Sequence, residues 1–110
     1  MIRQSYTATI ERNRVFQGEF ATETYECGWA SEAIFFVRKM EITGAVAGTE
    51  LRVQISADGI RWRDEGTRVE LTTAEVDFVR VKHFGNWLRL AGVLPAGATM
   101  RVIVSLSLKE

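Results

Sequence analysis

The 110-residue sequence holds one cysteine, one histidine and one proline. A lone thiol, Cys27, excludes an intrachain disulfide, so the fold owes nothing to oxidation and folding in the cytosol is the expectation. A sole imidazole, His83, leaves a Ser-His-Asp or Cys-His arrangement no other base, and neither it nor Cys27 stands in a nucleophile motif. One histidine and one cysteine cannot build a tetrahedral zinc site within a chain. No apolar run approaches the ~20 residues that cross a bilayer. The stretch Met1–Tyr6 has no apolar segment of the signal-peptide kind, so a soluble protein is expected. An excess of charge is missing too. Fourteen basic and fourteen acidic residues cancel, which argues against strong overall attraction to nucleic acid or a membrane. The glycines are scattered among turns and form no phosphate-binding motif, and no cofactor or metal is expected.

What is present is alternation. Leu51, Val53 and Ile55 alternate with Arg52, Gln54 and Ser56. Met100, Val102, Val104, Leu106 and Leu108 share one face near the C-terminus, with Arg101, Ser105 and Ser107 on the other; Ile103 interrupts that polar side. Tyr6, Ala8 and Ile10 alternate with Ser5, Thr7 and Thr9. Period two of this kind marks half-buried strands. Ala33–Val37 is a short continuous apolar run, suited to a central strand covered on both faces. In Phe78–Phe84, Val79, Val81 and His83 oppose Arg80 and Lys82; in Asn86–Ala91, Leu88 and Leu90 point inward. Arg14–Tyr25 reads as one long strand, bent at Gly18.

Glycine-containing links separate these segments, and Asp58-Gly59 is a two-residue hairpin signal. Thr72–Val76 has room for one helical turn and nothing longer. About eight strands at even spacing, without linker or repeat, predict a single all-β domain over residues 1–110, an antiparallel sandwich of jelly-roll type.

Charge and tryptophan supply the candidate surfaces. Between Val15 and Val37 the charged residues are Glu19, Glu23, Glu26 and Glu32; from Phe78 to Lys109 they are Arg80, Lys82, Arg89, Arg101 and Lys109. Such segments either neutralise each other across neighbouring strands or form a bipolar subunit that docks on its own copy. Trp87 shares the outward phase of its strand with Arg89, which marks it as the best candidate for an exposed aromatic at an interface. Trp62 is expected to cover the core, and Cys27 to be a small buried filler. As an alternative, Trp29, Trp62 and Trp87 are the side chains on which a sugar ring could stack. Asp58, Asp64 and Glu65 are the carboxylates nearest to a calcium set, but their spacing fits no EF-hand loop.

From Ile42 to Leu90 the chain carries a Gly-Thr turn, an alternating strand, Ser56-x-Asp58-Gly59-x-x-Trp62, and then Val79-Arg80-Val81 and Trp87-Leu88-Arg89-Leu90. This pattern resembles small β-sandwich proteins of tailed-phage and prophage structural modules, both virion-surface and tail-associated. Gln54–Trp62 is also similar to discoidin-like and other carbohydrate-binding sandwiches, although those are normally longer and often closed by a terminal cysteine pair. The phage-type resemblance implies a non-enzymatic subunit that works as a multimer, with itself or a larger shell or tail as partner. The second implies a glycan partner.

Overall fold

The computed structural model describes residues 5–110, so the expectation for Met1–Gln4 lies outside the described residues. Nine strands form: β1 (Ser5–Gln17), β2 (Glu19–Ala21), β3 (Tyr25–Glu26), β4 (Glu32–Thr43), β5 (Glu50–Ser56), β6 (Arg63–Glu70), β7 (Val76–Lys82), β8 (Trp87–Val93) and β9 (Thr99–Lys109). Two antiparallel sheets face each other. Sheet I has the order β1-β9-β4-β7, and sheet II the order β2-β8-β5-β6, with β3 also on β8. Among the described residues the only same-sheet links are the β5–β6 hairpin and the break between β2 and β3; every other link there carries the chain across to the opposite sheet. That is jelly-roll connectivity, and the expected all-β sandwich is the fold observed.

Alternation decides which side chains fill the space between the sheets. In β9, Met100, Val102, Val104, Leu106 and Leu108 are all buried, while the residues between them are half-buried. β5 and β8 add Leu51, Val53, Leu88 and Leu90, and β4 adds Ala33, Phe35 and Val37. Each large apolar side chain buried here stabilises the fold by about 1.5–3 kcal/mol.

Four local readings change. The Arg14–Tyr25 segment is not one bent strand. β1 already begins at Ser5, and Gly18, at φ 61°, lets the chain leave sheet I for sheet II. Phe16 and Phe20 then stack across that corner, with ring centroids 4.3 Å apart. The Ala33–Val37 run is covered on one face only, because Ile34 and Phe36 lie on the outer face of sheet I and are half-buried. Asp58-Gly59 sits in a six-residue loop, since β5 ends at Ser56 and β6 begins at Arg63. Thr73–Glu75 forms bends instead of a helical turn, and Val76 already opens β7.

One polar pair lies inside. Lys39 and Asp77 continue the inward phases of β4 and β7, and their side chains are 1% and 8% exposed. The Lys39 ammonium donates to Asp77 Oδ2 at 2.5 Å and to the Thr72 carbonyl at 2.7 Å. The Thr72 hydroxyl and amide donate to the same carboxylate at 2.6 and 3.0 Å. Burial works against the charge on Asp77, but the Lys39 and Thr72 hydrogen bonds outweigh it and hold the carboxyl below its ordinary value. The pair fastens the link between β6 and β7 to β4.

Two outcomes are expected. Lys39→Met leaves an uncompensated buried carboxylate and should cost about 3–5 kcal/mol in urea unfolding, whereas Lys39→Met with Asp77→Leu should recover most of that loss. A depressed folded-state value means that Asp77 stabilises the fold above its unfolded value near 4, and that this contribution fades as pH falls through the folded value. The double variant should therefore lose less stability on acidification below about pH 4 than the wild type.

Candidate functional site

The outer face of sheet II carries a connected polar cluster. Register places Arg52 beside Ala91 and Gln54 beside Arg89 on one side, and Gln54 beside Asp64 on the other. Arg89 Nε donates to Gln54 Oε1 at 2.7 Å, and Gln54 Nε2 donates to Asp64 Oδ1 at 2.9 Å. Arg52 Nη1 reaches Asp64 Oδ2 at 3.2 Å. The Arg89 guanidinium lies over the Trp62 ring, 4.3 Å from its centroid. The hydrogen bond from Gln54, with help from Arg52, holds the Asp64 carboxyl below its ordinary value. Burial, followed by the like charge of Arg52, pulls the Arg89 guanidinium down. Beside this cluster a groove of about 250 Å³ runs over Ala21 and Ala91, bordered by Glu19, Arg52, Gln54 and Arg89. The two alanines leave it one side chain deep.

Trp62 is therefore not core cover. It belongs to the outer face, half-buried under Arg89, because the loop delivers it beside the outward-facing Gln54–Asp64 rung. Nor is Trp87 the exposed aromatic. It is half-buried with its ring against Gly59, where an added Cβ would lie 3.2 Å from Trp87 Cε2. Trp29, in the link after β3, is the most exposed tryptophan at 43%. Trp62 closes the β5–β6 loop, Trp87 lies against that loop at Gly59, and Trp29 lies in the link between β3 and β4.

The remaining charged candidates divide between the two faces. Glu19 borders the groove on sheet II. Arg80 and Lys82 project from β7 on the outer face of sheet I, where Arg80 covers Phe78 at 5.1 Å and Lys82 lies 3.8 Å from Glu32. With Lys109 they line a second hollow of about 220 Å³ over Ile34. The Glu23 side chain is exposed, 3.9 Å from Arg14, while its amide donates to the buried Glu11 carboxylate at 2.8 Å. The acidic and basic stretches of sequence are thus neighbours within one subunit, as Glu32 and Lys82 on adjacent strands show.

Sequence reasoning missed an apolar stripe beside Arg80. Phe36 and Phe78 pair across β4 and β7 with ring centroids 6.3 Å apart. Ile34 and Ile103 flank them half-buried, while Phe78 and Val76 are 49% and 43% exposed. The signal was available: Ile34, Phe36, Phe78 and Ile103 all occupy the phase that alternation assigns to the surface.

The carboxylates nearest to a calcium set are already engaged. Asp58 accepts the amides of Arg61 and Ile60, each at 2.9 Å, and the Ser56 hydroxyl at 3.0 Å, which holds its carboxyl well below the carboxylate range. Asp64 is bound to Gln54 and Arg52, and Glu65 accepts the Thr67 amide at 3.0 Å. His83 is exposed in the turn after β7, at φ 56°. Cys27 is fully buried, and burial, with Glu26 adding to it, pushes its thiol up to about 12.

Native protein should therefore resist iodoacetamide at pH 8, with alkylation of Cys27 appearing only on unfolding. Gly59→Ala combines a left-handed φ of 78° with a contact on Trp87, and should cost about 1–2 kcal/mol in thermal unfolding.

The sequence matches no protein-family model and no curated protein. Solved structures do share the fold. The PBSX exported protein XepA superposes with a TM-score of 0.66 at 9% identity over 94% of this chain, which spans only 36% of the XepA chain. The SPBc2 prophage-derived protein YomS gives 0.58 at 11% identity, covering 100% of this chain and 96% of its own. A chain of infectious bursal disease virus, Gx strain, gives 0.52 at 14% identity over 97% of this chain and 32% of its own. At such identities the likeness is one of fold.

Proposed function

We propose that this chain is a non-enzymatic structural subunit of a phage-like particle, of the decoration or tail-associated type, that works by packing against copies of itself and a larger shell or tail. The observation that carries the reading is the apolar stripe of Ile34, Phe36, Val76, Phe78 and Ile103 on the outer face of sheet I. Singly exposed apolar side chains are ordinary; a contiguous set on a flat sheet face marks a contact surface. The molecule measures 47 × 28 × 20 Å, so a broad face offers the ~800 Å² per partner of a standard interface. Arg80 over Phe78 adds the arginine–aromatic pairing that is common at binding hot spots. The jelly-roll fold shared with XepA, YomS and a viral chain supports the same reading. No catalytic role is assigned, because His83 stands in an exposed turn and the thiol of Cys27 is buried.

Light scattering at low and high salt tests the reading. A multimer is expected that persists in high salt, because apolar contacts are not screened. Phe78→Glu should convert it to monomer that still unfolds in one cooperative transition, since substitutions at an exposed position seldom cost the isolated fold more than about 0.5 kcal/mol. A monomer at both salts, at every concentration tried, sinks self-assembly.

A further inference from the structure

On the opposite face, the groove over Ala21 and Ala91 has no place in that assembly. Its wall is made of two guanidinium groups whose orientations are already set. Arg89 is held by its Nε bond to Gln54 and by the Trp62 ring beneath it. Arg52 is held through Nη1 by Asp64. Among the described residues, Arg89 Nη1 and Nη2 and Arg52 Nη2 and Nε have no protein acceptor, so both cations keep donors to offer. Two like charges are kept together in a partly buried place, and the carboxylate of Asp64 is shared between Arg52 and Gln54. A planar anion that accepts from both guanidinium groups relieves that repulsion and fills their free donors.

The opposite border supplies Glu19, an acceptor for hydroxyl groups, and the floor is flat and shallow. The groove lies across the faces of β2, β8 and β5, so a peptide could not join it by adding a strand. The volume, about 250 Å³, lies just below the usual range for small-molecule sites and suits one sugar unit of a chain that continues along open surface. We infer that this groove binds an acidic saccharide, with the carboxylate of a uronate-type unit on Arg52 and Arg89 and its hydroxyls on Gln54 and Glu19.

The test is titration with trigalacturonic acid, followed by calorimetry and by tryptophan fluorescence, since Arg89 rests on Trp62. Saturable binding is expected. Arg89→Gln and Arg52→Gln should each weaken it by about tenfold or more, the effect of losing a charge-assisted hydrogen bond. Arg38→Gln, on the other sheet, should leave it unchanged. Ala21→Gln fills the floor without replacing either arginine and should abolish binding, so the inference remains testable if an arginine variant does not fold. Absence of binding, equal binding of an uncharged galactose trimer or of hexaglutamate, or full binding by Ala21→Gln would each overturn it. Phe78→Glu should retain binding, which separates the fate of this site from that of the assembly surface.

Discussion

Between Thr99 and Lys109 the chain pairs with β1 on one side and with β4 on the other, and the rest of the architecture depends on that double pairing. Without β9, sheet I separates into an isolated strand and a two-stranded ribbon, neither of which is stable alone in water. The inner face of β9 also provides Met100, Val102, Val104, Leu106 and Leu108, against which sheet II closes. Pairing Ser5 with Lys109 joins opposite ends of the sequence, so the chain bears nearly its full loop-closure entropy before the core is rewarded. Slow folding, on the scale of milliseconds to seconds, is the general consequence of such non-local pairing.

The strands that were legible in the sequence are those with one wet face and one dry face. β5 and β9 announce themselves by alternation because most of their outer side chains are polar, and β8 does so through Leu88 and Leu90 on either side of Arg89. β4 misleads for the opposite reason: its outer Ile34 and Phe36 belong to an apolar stripe, so a half-exposed strand reads as fully buried. β6 has little apolar signal, since Arg63, Asp64 and Arg68 are exposed and only Val69 packs against the core. The corner at Gly18 is a tertiary event; one glycine shows that the chain can turn, not that it changes sheets.

The site was less legible than the fold. Trp62, Arg89, Gln54 and Asp64 come from three strands and one loop, and only register brings them together. Strand phase directs Trp87 outward and turn position directs Trp62 to the core, but Trp87 is covered by the β5–β6 loop at Gly59 and Trp62 lies on the outer face under Arg89. The buried Lys39–Asp77 pair did leave a trace. Each residue continues the inward phase of its strand, and two opposite charges directed into one core must meet. Identities of 9–14% with proteins of the same fold fit this picture, because the jelly roll asks for alternation and corners and places few demands on particular side chains.

The rims of the two sheets have a consequence of their own. β1 is interrupted by register shifts between Thr9 and Glu11 and between Glu11 and Arg14, with Asn13 at a positive φ. β6 bulges around Gly66, and the outer strand beside β8 is broken into two short pieces, β2 and β3. The remaining rim, β7, is regular but only seven residues long, and sends Arg80 and Lys82 outward. Irregular, short and charged margins are poor templates for a neighbouring backbone. Copies of this protein can be crowded at high concentration without zipping strand to strand into fibrils.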